Sequence, residues 1–134
     1  MTLVRIRDAA ALLGVSDDTV RRWIDGGGLT AEKDAAGRLV VPGRVLAQFA
    51  REHATPTPDP LAVGSSARNR FVGIVTRLIA DGVMAEVEIQ CGPHTVVSLM
   101  SRQSAEHLGL EVGSLAVAAV KATTVVVEVP KDTA

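Results

Sequence analysis

Catalysis or metal binding in this chain would fall to a short set of side chains, and their spacing serves neither. His53, His94 and His107 lie far apart with no His or Cys neighbour at ligand spacing, so no free-cation metal site is expected. Cys91 is the single cysteine and has no intramolecular disulfide partner, which fits a reducing compartment. Glu86 and Glu88 alternate with apolar residues, the spacing of a solvated strand face rather than of an acid–base pair. No nucleophile–base pair and no Walker phosphate loop occurs, so the chain is not expected to be an enzyme and no cofactor is expected. What remains is donor chemistry. Arg21 and Arg22 stand side by side just after Thr19, and guanidinium groups serve phosphates and guanine edges alike. Adjacent arginines on an arbitrary helix only solvate its face, so the elements that hold them decide the reading.

Those elements come from a chain of 134 residues with formal net charge -1. Nothing global marks a nucleic-acid binder, and any DNA contact must come from a local patch. With two Phe, one Trp and no Tyr, any core is built from Val, Leu, Ile and Ala, and small all-β domains of that kind gain much from oligomerising. No apolar stretch reaches the ~18 residues of a spanning helix. The apolar run over residues 9–15 meets Ser16, Asp17 and Asp18 rather than a small-residue cleavage site, so it does not read as a signal peptide. A cytoplasmic protein with no membrane partner is expected.

Residues 54–64 carry Pro56, Pro58 and Pro60 at alternate positions, which favours extended, semi-stiff backbone. We read this stretch as a linker between a module over residues 1–53 and another over residues 65–130. Apolar residues recur at helical spacing before it and alternate after it, as in Val83, Ala85, Val87 and Ile89. Neither half is strongly basic: residues 1–53 hold eight Lys/Arg and seven Asp/Glu, and residues 65–134 hold six and seven.

In the first module residues 8–13 form a helix candidate that Gly14 ends, and Ser16 is a good N-cap for a second helix over residues 17–25. Two short helices across Gly14, Val15 and Ser16 make a helix-turn-helix. Val20, Trp23 and Ile24 face its core, while Arg21 and Arg22 lie largely opposite. A hairpin follows, with residues 32–33 and 39–41 flanking Asp34-Ala35-Ala36-Gly37, and Arg38 stands near its tip. Pro42 starts a last helix, in which Val45, Leu46 and Phe49 pack inward. The stretch resembles the DNA-binding domain of MerR-type and excisionase-like regulators. The resemblance rests on residues 10–16, Thr19-Val20-Arg21-Arg22-Trp23, Gly28-Leu29 and the Gly37-Arg38 hairpin. It implies double-stranded DNA as partner: Ser16, Thr19, Arg21 and Arg22 at the major groove and phosphates, Lys33 and Arg38 on the wing touching backbone. Asp17 and Asp18 sit close to the same phosphates, so dimeric or higher binding would raise affinity, with half-sites about 34 Å apart or a multiple of it.

The second module offers strand candidates in the segment that opens over residues 65–75, then from 83 to 90, 95 to 100, 115 to 120 and 125 to 129. Turns fall at Asp81-Gly82 and Cys91-Gly92-Pro93, and a short helix capped by Ser101 runs through Leu108 to Gly109. Five short strands and one helix predict a small closed or nearly closed OB-like barrel. The fold class is therefore α+β, a winged helix-turn-helix followed by an OB-like β-barrel.

This half looks like a Mop domain, the molybdate-binding unit of molbindins and molybdate-responsive regulators, related to the TOBE domains of transport ATPases. The residues that carry the likeness are Ser66-Ala67-Arg68-Asn69, Phe71-Val72-Gly73, residues 104–110, Val112-Gly113 and Val120-Lys121-Ala122-Thr123. The resemblance implies a molybdate or tungstate oxyanion held on one side by Ser66, Ala67 and Arg68 with Lys121, Ala122 and Thr123. Ser101 would come from a neighbouring subunit, at a position where the family usually shows Thr. A dianion with four oxygens and no hydrogens needs donors only, and hydroxyls, backbone N–H groups and two cations are donors. One such unit per chain implies self-association, a hexamer or at least a dimer, with the oxyanion sites between subunits. Two functions follow: a molybdate-responsive transcriptional regulator, or a molbindin-like storage protein whose first module is not a sequence-specific regulator.

Overall fold

Gly14 ends the first helix by adopting φ 70°, a left-handed conformation that costs a residue without Cβ little. Its N–H returns to the carbonyls of Ala10 and Ala11 and closes the last turn of α1 (Ile6–Leu13). The computed structural model describes residues 2–131, and the chain divides into two units, Met1–Pro56 and Thr57–Ala134. In the first unit, α1 leads through Val15 to α2 (Asp17–Asp25), whose N-cap Ser16 accepts the Thr19 N–H. The second helix forms with the cap and bounds expected, whereas the first ends at Leu13 as expected but starts at Ile6, two residues early and without a side-chain cap. A short strand pair, β2 (Glu32–Lys33) and β3 (Leu39–Pro42), makes the wing, and α3 (Gly43–His53) follows directly.

The sequence reading has no element before α1, but residues Leu3–Arg5 form β1, which pairs antiparallel with β3 on the side away from β2. Three residues are too few to show a period. The two helices and the small sheet close on Ile6, Ala9, Ala10, Val20, Leu29 and Val41, with Leu46 and Phe49 from α3. Trp23 packs half-buried on this core with its ring 4.9 Å from that of Phe49, so it is a core residue as read.

The second unit is a four-stranded antiparallel sheet in the order β6-β5-β4-β7. Its strands are β4 (Asn69–Ala80), β5 (Met84–Cys91), β6 (His94–Ser101) and β7 (Leu115–Val120), with α4 (Arg102–His107) between the last two. The long strand β4 serves two partners. Its first half, Asn69 to Ile74, pairs with β7, and its second half, from Ile74 on, pairs with β5, with a register shift between Val75 and Arg77. An irregularity of that kind bends a strand and increases its twist, so the sheet curls as a half-barrel. Gly73 sits inside the curl. A Cβ there would lie 2.3 Å from the Gln90 carbonyl oxygen and 2.7 Å from Cys91 Sγ, so the backbones of β4 and β5 approach only because this residue is glycine.

Among the described residues the sheet stays open and does not close into a barrel. The fifth strand expected over residues 125–129 does not form; Ala122–Thr124 is instead a 3₁₀ turn, and Val125, Val126, Val127 and Val129 beyond it are exposed. A β-branched run fits a pleated surface only where a partner strand supplies one, and this sheet supplies none to it. The buried core of the unit is correspondingly small, formed by Val75, Val87, Ile89 and Cys91.

Candidate functional site

The N-terminal candidates fall into two groups. Ser16, Thr19 and Arg22 form one string of hydrogen bonds along the start of α2. The Ser16 hydroxyl caps the helix and lies 3.0 Å from Thr19 Oγ1, which accepts from Arg22 Nη2 at 3.2 Å. Arg21, Lys33 and Arg38 instead line a common cleft of about 700 Å³ between the start of α1, α2 and the wing. Arg38 is held there by Asp34, which accepts from the Arg38 backbone N–H at 2.9 Å and from its Nε at 3.1 Å, and from the Ala36 N–H at 2.9 Å. These bonds, the Arg38 N–H foremost, hold the Asp34 carboxyl below the ordinary carboxylate range. The hairpin signal Asp34-Ala35-Ala36-Gly37 thus sets the wing and aims its arginine. Arg5 and Arg7 line the same cleft, and the sequence reading missed them because it had no element to put them on.

In the second unit, the pairing of β4 with β7 assembles the other candidate set. Asn69 is the cross-strand partner of Val120, and its Nδ2 donates to the Val120 carbonyl at 3.1 Å. Ser66, Ala67 and Arg68 immediately precede Asn69, and Lys121, Ala122 and Thr123 immediately follow Val120. The two stretches therefore leave the sheet at the same end although they are separated by some fifty residues in the chain. Ser66, Arg68, Lys121 and Thr123 are exposed and Ala67 half-buried. Among the described residues neither Arg68 nor Lys121 is in an ion pair. The turn Ala122–Thr124 closes with the Thr124 N–H on the Lys121 carbonyl, so the N–H groups of Ala122 and Thr123 precede its first internal bond. The Ala67 N–H is differently disposed, donating to Ser65 Oγ at 3.1 Å. This end of the sheet presents hydroxyl, ammonium, guanidinium and amide donors, the complement a tetrahedral dianion requires.

Ser101 lies elsewhere. It ends β6, pairs with Met84 at the far end of β5, and belongs to the edge of the sheet opposite β7. Within one chain the structure does not bring it to Arg68 and Lys121. Its hydroxyl caps α4, accepting from the Ser104 N–H at 3.0 Å and donating to Ser104 Oγ at 2.8 Å. Glu86 is exposed and Glu88 half-buried on β5. His53, which the sequence offers no metal partner, stacks on Phe49 with ring centroids 3.8 Å apart, and its Nδ1 lies 3.0 Å from the Phe49 carbonyl oxygen.

Comparison with known proteins agrees with the division into two halves. Residues 3–54 match the model of a helix-turn-helix domain, and residues 65–127 match the model of the TOBE domain. Among solved structures, a molybdate binding protein from Sporomusa ovata matches at 27% identity and a TM-score of 0.48, over 49% of this chain and 98% of that one. MopII from Clostridium pasteurianum matches at 36% identity and a TM-score of 0.47, over 49% of this chain and its own full length. No curated protein matches the chain. No helix among the described residues is long and apolar enough to cross a membrane. The chain carries a helix-turn-helix domain in its first half and belongs, by its second, to the TOBE domain family.

Proposed function

We propose that this protein binds molybdate or tungstate in its second domain and double-stranded DNA through its first, and that it acts as an oxyanion-responsive transcriptional regulator. The observation that carries the reading is the Asn69–Val120 pairing, since Ser66, Ala67 and Arg68 lead into the one residue and Lys121, Ala122 and Thr123 lead away from the other. In this reading Arg68 and Lys121 neutralise the dianion, while Ser66 and the N–H groups of Ala122 and Thr123 bond its oxygens. Residues from a neighbouring copy, Ser101 among them, complete the shell. On the DNA side, Arg21 approaches the major groove with Thr19 and Arg22, and Lys33 and Arg38 hold backbone from the wing. The reading includes no catalytic step.

Self-association is part of the proposal and has physical support. Ile74, Val97, Leu99 and Leu115 are all at least 48% exposed on the face of the sheet turned away from its small buried core. Clustered exposed apolar residues on a small domain mark an interaction face, and among the described residues no strand pairs with residues 125–129. A dimer or hexamer with sites between subunits covers both. The expectation of a linker over residues 54–64 stays with this proposal. Asp59 within it is tied to Arg70 at 2.7 Å and to the Leu61 N–H at 2.9 Å, so its later part is attached to the second unit.

Titration calorimetry of the full chain with molybdate, beside sulfate as competitor, tests the ligand, and sedimentation of the same sample tests the assembly. Heat with molybdate and none with sulfate from an oligomer is the expected result. An oligomer that binds neither molybdate nor tungstate overturns the reading. The storage reading remains as the second function; it holds if molybdate binds but no duplex is bound at any molybdate concentration.

A further inference from the structure

The first strand and the first helical turn contribute two cations to the N-terminal cleft that a reading of α2 and the wing does not use. Arg5 ends β1 and is the N-cap of α1, and Arg7 is in the first turn of α1. Both are exposed, and among the described residues neither is in an ion pair. Together with Arg21, Lys33 and Arg38 they line the cleft of about 700 Å³, and Asp8 and Asp17 are the carboxylates that share it. Five cations against two carboxylates leave a local excess of three positive charges, on a chain whose net charge is -1. Asp34 beside the wing compensates part of the Arg38 charge, which still leaves the cleft clearly basic.

We propose that Arg5 and Arg7 are a phosphate-binding rim, and that the sugar–phosphate backbone of a DNA duplex runs through this cleft between the start of α1 and the wing. The inference rests on the reading of the first domain as DNA-binding and adds residues outside the recognition helix and wing. The lining is mostly charged, and Ile6 and Leu39 are its apolar members, so an apolar small molecule gains little there. Cations arrive from four separate elements, β1, α1, α2 and the wing, around an open cleft, an arrangement suited to an extended polyanion. Because Arg5 and Arg7 project from a strand end and a first turn, their role is to fix the position of the duplex rather than to read bases.

The experiment is fluorescence anisotropy of the full chain on two labelled duplexes of unrelated sequence, across a salt series. Each phosphate contact contributes ~0.9 to the slope of log affinity against log salt. Arg5→Ala with Arg7→Ala should therefore lower the slope by about 1.8 and weaken both duplexes alike, roughly ten- to hundred-fold at about 100 mM salt. Arg5→Lys with Arg7→Lys should keep the slope, and Arg51→Ala, on an exposed face of α3 away from the cleft, should leave binding unchanged. A wild-type slope in the double Ala variant overturns the rim, as does loss on one duplex only, or loss of slope in the Lys variant as well. If the wild-type protein binds neither duplex, the DNA reading of the domain fails and the rim falls with it, an outcome separate from the others.

Discussion

Asn69 and Val120 face each other across β4 and β7, and the Asn69 side chain donates to the Val120 carbonyl. That pairing, between residues 51 apart in the chain, is what the proposed oxyanion site rests on, since it brings two short donor stretches off the same end of the sheet. It predicts that Arg68→Ala and Lys121→Ala fail together. Each removes a charge-assisted bond worth about 1.5–3 kcal/mol, so each should weaken molybdate binding by roughly ten- to a hundredfold. Both side chains are exposed, so the melting temperature should hardly change. Calorimetry beside a thermal melt checks this; an unchanged affinity for either variant removes that residue from the site.

The reciprocal prediction concerns Arg21. Its side chain is exposed on α2 and lines the cleft with Lys33 and Arg38. Arg21→Ala should weaken DNA binding by about 1–3 kcal/mol if it reaches a base edge and leave molybdate binding untouched. Mobility-shift titration and calorimetry on the same preparation give both numbers. If Arg21→Ala and Lys121→Ala each abolish both activities, the two-domain division of labour is wrong.

The elements around these residues were legible to different degrees, for physical reasons. Ser16 and Gly14 announce the helix-turn-helix because caps are local chemistry, and the Asp34-to-Gly37 turn announces the wing in the same way. β1 was not legible, since Leu3, Val4 and Arg5 become a strand only by pairing with β3. Residues 125–129 carry strand chemistry yet form no strand here, because β-branched propensity makes a strand only where a ladder is available and this sheet pairs none of them. The residues of the proposed oxyanion site were named from family likeness. The Asn69–Val120 pairing on which the proposal rests is a long-range register, and periodicity does not encode registers of that span.

Gly73 offers a test of the curl that supports the site. Alanine there must displace the Gln90 carbonyl or the Cys91 thiol, since its Cβ would meet both below 3 Å. Overpacking of this kind costs about 1–3 kcal/mol, or roughly 4–8 °C in melting temperature per kcal/mol for a domain of this size. Gly73→Ala should therefore lower the melt of the second domain and, by shifting β4 against β5, loosen self-association. A variant that melts with the wild type would mean that the two strands separate without cost.

Acid sensitivity should come from three aspartates. Asp34 is held low chiefly by the Arg38 N–H, Asp59 chiefly by the Arg70 side chain, and Asp81 chiefly by the Met84 N–H and then that of Val83. A carboxylate whose folded pKa lies below its unfolded one adds stability that is fully present above the unfolded value and is lost as pH falls through the folded one. The loss is thus expected below about pH 4, with no contribution from these groups to any change between pH 6 and 8. Asp34→Asn should flatten the acid limb for the first domain and Asp81→Asn for the second. Circular dichroism melts across that range decide it, and an acid limb of wild-type steepness in both variants assigns the sensitivity elsewhere.

Ser101 has a demonstrable local task, capping α4, and a proposed one, contacting an oxyanion held by a neighbouring copy. Substitution separates the two. Ser101→Ala removes the cap and should cost about 1 kcal/mol, which confounds any change in ligand affinity. Ser101→Asp is more informative, because Asp caps a helix as well as Ser does while placing a carboxylate where a donor to a dianion is needed. If Ser101 contacts the ligand, Ser101→Asp should keep α4 and the melting temperature but abolish molybdate binding. If it serves only as a cap, Ser101→Asp should bind molybdate like the wild type, and Ser101→Thr should do so in either case. Calorimetry of the Asp variant, read beside its melt and its sedimentation, therefore decides whether the site draws this hydroxyl from a second subunit.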